Sequence, residues 1–173
     1  MHKREGIVVN VKAVTISKIA LGGGCHWCAE AVFQSLKGVE KVEQGFVASS
    51  GDHNSFSEAV IVHFDSAVIS LRDLIEIHLH THRSTSDHSM RNKYRSAVYS
   101  FTAGQSSEAK LILEALQPDF QNGLITKVYP FASFKPSEEQ FRDYYLKNPK
   151  KPFCERYILP KLETLAEKFP DRL

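Results

Sequence analysis

Cys25 stands in a setting that makes a thiol reactive. It follows three glycines, Gly22, Gly23 and Gly24, and precedes His26, Trp27 and Cys28. The glycines break an apolar run, allow a sharp turn and let another molecule approach the sulfur closely. From His26 to Leu36 the apolar residues Trp27, Ala31, Val32 and Leu36 recur at helical intervals, so the spacing predicts a helix starting at or just after Cys25. The first N–H groups of a helix have no internal partner, and its dipole adds partial positive charge. Both favour thiolate over thiol, so Cys25 should titrate below the free value of about 8.5. This defines an activated nucleophile without naming what it attacks.

The chain has three cysteines, Cys25, Cys28 and Cys154. An odd number without an export signal argues against a structural disulfide framework, and Cys-x-x-Cys in that context means redox chemistry or metal binding. The alternative is that they pack as small buried hydrophobes. His78, His80, His82 and His88 cluster around one helix end. Their spacing does not reproduce a Cys/His zinc pattern and a second cysteine pair is missing, so no metal site is expected.

The elements that must position Cys25 follow from periodicity. Thr15–Leu21 reads as a strand before the glycine turn, and Gly38 caps the helix that Cys25 begins. Val39–Val47 and Phe56–Asp65 read as strands around a turn at Ser49–Ser55. A helix follows from about Ser70, its N-cap, to His80, with Leu71, Leu74, Ile75 and Leu79 on one face. Thr81–Lys93 is irregular, Tyr94–Phe101 a strand, Ser106–Leu116 a helix and Ile125–Tyr129 a strand. Ser137–Tyr145 reads as a helix start and Leu159–Phe169 as a terminal helix. This order predicts an α+β two-layer sandwich with a mainly antiparallel sheet and a split βαβ, ferredoxin-like core. The 173 residues fit a single catalytic domain spanning 1–173, with its core at about 17–145 and a C-terminal segment, 146–173, carrying Cys154.

Composition narrows the class. Hydrophobic residues make up 42% and charged residues 24%, as in ordinary globular proteins. A formal charge of +2 is too small to argue for a nucleic-acid or membrane partner. The first residues are basic and then apolar, but Lys12 and Lys18 interrupt the run, so neither a signal core nor a spanning helix fits. A cytoplasmic monomer is the expectation.

Several separated motifs then converge. Gly22-Gly-Gly-Cys25-His26-Trp27-Cys28-Ala-Glu30-Ala-Val-Phe33 resembles the signature of the peptide methionine sulfoxide reductase A family. Gly38-Val39, Gln44-Gly45-Phe46, Glu58–Asp65, Ile69–Ile75, Tyr94-Arg-Ser-Ala-Val-Tyr99, Tyr145-Leu-Lys-Asn-Pro149 and Cys154 follow in the family's order. The resemblance covers about residues 17–165. It implies that the Cys25 thiolate attacks the sulfur of a methionine-S-sulfoxide, protein-bound or free, while an acid protonates the oxygen. Methionine leaves, a sulfenic acid remains, and a second thiol condenses with it to an intramolecular disulfide. An external thioredoxin-type dithiol then reopens the disulfide, with no metal or organic cofactor. Catalytic roles fall to Cys25, Cys28, Cys154, Glu58 and Tyr94, and substrate contacts to His26, Trp27 and Phe46, with Trp27 walling the pocket for the S-methyl group.

The sequence departs from the family around the acid. Phe46 stands where a second tyrosine is usual, and His26 where phenylalanine is usual. The loop that carries the family's Glu is shorter. Glu58 either replaces that Glu or merely aligns with the strand after the deletion. The family Asp before Tyr94 has no clean counterpart, Asp87 and Ser89 flanking its place. His26 can pair with the thiolate or donate the proton, or be a polar substitution at a half-exposed helix start. Glu30 lies about one turn from Cys25 and is either an exposed, helix-paired carboxylate or a group near the site. Cys28 and Cys154 both qualify as resolving thiols, and a relay through both is the expectation. Two other classes remain: a dithiol oxidoreductase exchanging disulfides through Cys25 and Cys28, and a weakly active methionine sulfoxide binding protein.

Overall fold

The computed structural model describes residues 16–173. Thr15 of the first expected strand, and the basic-then-apolar start of the chain, lie outside the described residues. The strands are β1 (Ile16–Gly22), β2 (Val39–Ala48), β3 (Ser57–Asp65), β4 (Ala97–Ser100), β5 (Lys127–Pro130) and β6 (Ser133–Pro136). The α-helices are α1 (His26–Gln34), α2 (Leu71–Thr81), α3 (Ala103–Leu116), α4 (Tyr144–Lys147) and α5 (Leu159–Lys168). Ser70 caps α2 as expected, exchanging hydrogen bonds with Asp73 in a capping box. Among the described residues no helix is long and apolar enough to cross a membrane.

One six-stranded sheet has the order β5-β4-β1-β3-β2-β6. β4 and β5 pair in parallel, whereas the other neighbours are antiparallel. The sequence reading missed β6. It is four residues long, begins with Ser133, ends on Pro136 and sits at a sheet edge, where a proline is tolerated. β5 and β6 occupy opposite edges yet are separated only by Phe131 and Ala132. The Phe131 N–H donates to the carbonyl of Ser100, the last residue of β4, and that of Ala132 to the Ala48 carbonyl of β2. The sheet therefore curls until its edges nearly meet.

Curling gives the central strands two buried faces. Ile19 and Leu21, Val60, Val62 and Phe64, and Val98 point to the side covered by α1, α2, α3 and α5, where Phe33, Leu74, Ile77 and Leu116 complete the main core. Alternate residues Ala20, Ala59, Ile61, Ala97 and Tyr99 fill the inside of the curl against Phe101, Tyr129, Phe131 and Phe134. Gly45 on β2 is required there by space. A Cβ would meet the Lys135 carbonyl and the Phe134 ring of β6.

Register brings the expected site residues to one end of the sheet. Gly22, the last residue of β1, stands opposite Ala59 on one side and Ala97 on the other. Phe46 on β2 stands opposite Glu58 on β3. The turn before α1, the start of β3, the end of β2 and the segment before β4 are thus neighbours.

Candidate active site

Cys25 is the N-cap of α1, with extended backbone and a half-buried side chain. The turn that delivers it is tight. Gly23 has φ +155°, and a Cβ there would collide with the His82 ring. Arg91 clamps this turn, its guanidinium donating to the carbonyls of Gly23 at 2.7 Å and Tyr94 at 2.8 Å.

The neighbouring Cys28 thiol and the N–H groups of Trp27 and Cys28 at the start of α1 favour charge on Cys25. These hold the Cys25 thiol below its ordinary range, with burial and the nearby Glu58 charge opposing them. The same contact and burial push Cys28 far upward. The pair therefore keeps its negative charge on Cys25 and its proton on Cys28, as expected of a nucleophile at a helix start.

All three cysteines are free. Cys154 is fully buried in a wide helical turn, Cys154–Ile158, that leads into α5. It packs with Cys28, Ala31 and Ile158, and Cys25, Trp27, Tyr144, Tyr145 and Phe153 border that cluster. Burial raises the Cys154 thiol. Core packing and proximity to Cys25 thus coexist for Cys28, and the C-terminal cysteine is gathered against it.

Glu58 is buried, 6% exposed, at the start of β3. Its Oε1 accepts from the His26 backbone N–H at 3.2 Å and lies 3.5 Å from His26 Nε2. The Lys93 ammonium stands 3.6 Å from Oε2, with Tyr94 next to it. Lys93 is largely exposed, so water screens this pair. Tyr94 is half-buried beside it, the ammonium 5.1 Å from its ring centre. The segment 93–95 is tied to β3, because Glu58 N–H donates to the Lys93 carbonyl and Ser57 Oγ joins Lys93 to Arg95.

His26 is not the half-exposed substitution that the sequence allowed. It is 7% exposed, and Nδ1 lies 2.7 Å from the Gly45 carbonyl, which assigns the proton to Nδ1 and turns Nε2 toward Glu58. Burial lowers its pKa, with Glu58 partly offsetting. A neutral imidazole is thereby favoured over a cation paired with the thiolate. Phe46 meets its edge at 5.1 Å.

Trp27 is half-buried beside Cys25, but one face of the indole is stacked on Tyr144, with centres 4.0 Å apart and planes at 9°. Phe141 and Phe153 complete an aromatic group around it. Glu30 fits neither reading made of it. It is 1% exposed and accepts from Gln44 and from the Asp143 and Tyr144 N–H groups, so it anchors the start of the C-terminal segment to α1. Burial raises its pKa.

The histidines near the end of α2 are structural neighbours of the turn. His78 donates from Nε2 to the Gly22 carbonyl at 2.8 Å and stacks on His82 at 4.1 Å; His82 Nε2 meets Ser96 Oγ. Among the described residues no group of three or more His, Cys, Asp or Glu is placed to hold a metal ion. Burial pushes His78 from near 6.5 down to about 4, and His82 also falls. Between those two pH values the unfolded chain binds more protons than the folded one, so stability falls as pH drops from 6.5 to 4. The His78 contribution is on the order of 3 kcal/mol, or roughly 6–12 °C in Tm. Calorimetry at pH 7 and pH 4.5 should give a larger acid-induced drop for the native chain than for His78→Asn. Equal drops would refute the assignment.

The curled sheet, the helix-capping thiolate and the buried carboxylate beside it define a thiol-based oxidoreductase. A sequence model described as peptide methionine sulfoxide reductase matches residues 17–173. Peptide methionine sulfoxide reductase MsrA of Trichodesmium erythraeum is 34% identical over 174 residues, covering 91% of this chain and 98% of its own length. That of Deinococcus radiodurans is 34% identical, covering 87% and 81%. In fold, Mxr1 from Saccharomyces cerevisiae in reduced form superposes with a TM-score of 0.73 at 23% identity, covering 82% of this chain and 90% of that one. Methionine sulfoxide reductase A of Corynebacterium diphtheriae gives 0.69 at 23% identity, covering 79% and 77%. Mxr1 has also been solved in complex with Trx2, at TM-score 0.61, 23% identity and coverage of 74% and 85%. The chain belongs to the peptide methionine sulfoxide reductase family, and its activity is the reduction of methionine sulfoxide.

Two positioning residues escaped the sequence reading. Lys93 is next to Tyr94 in the chain and carried no local signal. Arg91 carried no local signal, because its carbonyl partners, Gly23 and Tyr94, are assembled by the fold.

Proposed function

We propose that the Cys25 thiolate attacks the sulfur of a methionine-S-sulfoxide while Glu58 delivers a proton to the sulfoxide oxygen with Tyr94 beside it. The S–O bond breaks, the oxygen bonds to the Cys25 sulfur as hydroxide, the S–S bond made by the attack is cleaved, and methionine leaves with Cys25 oxidised to a sulfenic acid. Cys28 resolves it to a disulfide and Cys154 takes over the bridge in a relay, after which an external thioredoxin-type dithiol restores the thiols. The observation that carries this reading is Cys25 at the start of α1, packed against Cys28 and sharing a cavity with the buried Glu58 carboxyl. Trp27, Phe46 and His26 border the substrate. No prosthetic group enters the scheme. A thioredoxin-type reductant accords with the complex formed by Mxr1 and Trx2. Three free thiols suit a reducing compartment such as the cytoplasm.

The same reading treats the described chain as one catalytic unit acting as a monomer. Its β1–α1–β2–β3–α2–β4 part is a ferredoxin-like split βαβ core, supported by the internal order β4-β1-β3-β2, with β5 and β6 added at the edges. Incubation with separated sulfoxide epimers, free or within a peptide, and a dithiol should consume only the S-epimer. Consumption of the R-epimer, or disulfide exchange without sulfoxide turnover, would overturn the scheme.

A further inference from the structure

Lys161 belongs to the first turn of α5, seven residues after Cys154, and is half-buried. Its ammonium donates to the Thr81 carbonyl at the C-terminal end of α2, where the helix dipole favours a cation. It also lines a cavity of about 20 Å³ together with Cys25, Cys28, Thr81 and His82. That is room for about one water molecule. Among the described residues no carboxylate oxygen lies within 4 Å of the ammonium. A half-buried cation without a carboxylate partner, lining a cavity with two thiols, has an electrostatic task available to it.

We propose that Lys161 is a positioning residue of the thiol relay, its ammonium stabilising negative charge on Cys28 while Cys28 attacks the Cys25 sulfenic acid. The inference rests on Cys28 being the first resolving thiol. In that step an S–S bond forms between Cys28 and Cys25, and the S–O bond of the sulfenic acid breaks. The Cys28 proton leaves with the hydroxide as water. Cys28 sulfur is oxidised and Cys25 sulfur is reduced to the disulfide level.

The requirement for a cation follows from the surroundings of Cys28. Once Cys25 is a sulfenic acid its charge is gone, but burial still holds Cys28 as a thiol, and the 4.0 Å donation to the Tyr157 carbonyl also favours the protonated form. Lys161 opposes these influences. Its own pKa is lowered by burial and pulled back by Cys28 and Cys25. The other titratable groups facing it are Glu58 from β3 and His26 from α1 in the same cavity, and His78, His80, His82 and Arg83 around the end of α2. Burial favours the neutral form of His78 and His82, so the thiols dominate its response at higher pH. One helix thus delivers both a later thiol of the relay and the charge that assists the earlier one.

The test is a single turnover of the full chain with N-acetyl-methionine sulfoxide across pH 6–9. Methionine release and loss of free thiols are followed separately. Lys161→Gln keeps a donor for Thr81 but removes the charge; Lys161→Met is a second neutral variant, and either one with native Tm serves. In the neutral variant disulfide formation at pH 7 should slow about tenfold, with its pH midpoint moving up by about 1, and methionine release should slow less. Lys161→Arg should restore most of the rate. An unshifted profile, or slowing that Lys161→Arg fails to rescue, overturns the proposal. Cys28→Ser separates the two levels. If it forms a disulfide at the native rate, the role of Cys28 fails and that of Lys161 with it. If it is slow while the Lys161 variants behave as native, only Lys161 falls.

Discussion

Cys25→Ser should abolish sulfoxide reduction, lowering kcat/KM by roughly 10⁴-fold or more, because a nucleophile has been removed rather than weakened. A serine hydroxyl at this N-cap would not ionise near neutral pH. Cys28 cannot substitute, since burial and its position keep it protonated. The fold should survive, because Cys25 is half-buried and makes no side-chain cap bond. The measurement is methionine formed per enzyme in a single turnover, with Tm as control. Cys28→Ser and Cys154→Ser should still release one equivalent in the first turnover, since the sulfoxide step precedes any disulfide. A Cys25→Ser chain that releases methionine would remove the basis for every later step.

The setting of Cys25 was legible because its determinants are local. Three glycines, a cysteine and a helical period lie within a dozen residues, and the helix start that they predict is where α1 begins. The surroundings of the acid were not legible, because they are made by register. Glu58 is secured by the His26 N–H, whereas His26 is secured by Gly45 on a third element. Those three residues are far apart in sequence, and only the β2–β3 pairing makes them neighbours. The same limit hid the inside of the curl. β4 and β5 are short strands whose aromatic residues resemble ordinary edge positions until β6 closes over them. Lys161 shows the limit in its strongest form. Nothing about a lysine in an amphipathic terminal helix points to two thiols, and only the packing of α5 against α1 and α2 places it there.

Glu58→Gln should slow the chemical step by roughly 10²–10⁴-fold, the span expected when a positioned proton donor is removed. The substitution nearly preserves shape, and the amide oxygen can still accept from the His26 N–H. What it removes is an acid proton at the oxygen of the breaking S–O bond. His26→Phe should slow the same step less. Burial disfavours the imidazolium, and its proton is committed at Nδ1 to the Gly45 carbonyl, so Nε2 faces Glu58 as an acceptor rather than as the donor. Its bond to Gly45 positions the ring, and phenylalanine would lose that bond while keeping the contact with Phe46. Tyr94 and Lys93 lie on the opposite side of the carboxyl, so Tyr94→Phe tests whether a hydroxyl shares the donation. Single-turnover rates, measured with saturating sulfoxide, decide the ranking independently of resolution by Cys28 or Cys154. A His26→Phe chain slower than Glu58→Gln would transfer the proton to the imidazole and require the Nδ1 bond to Gly45 to break during turnover.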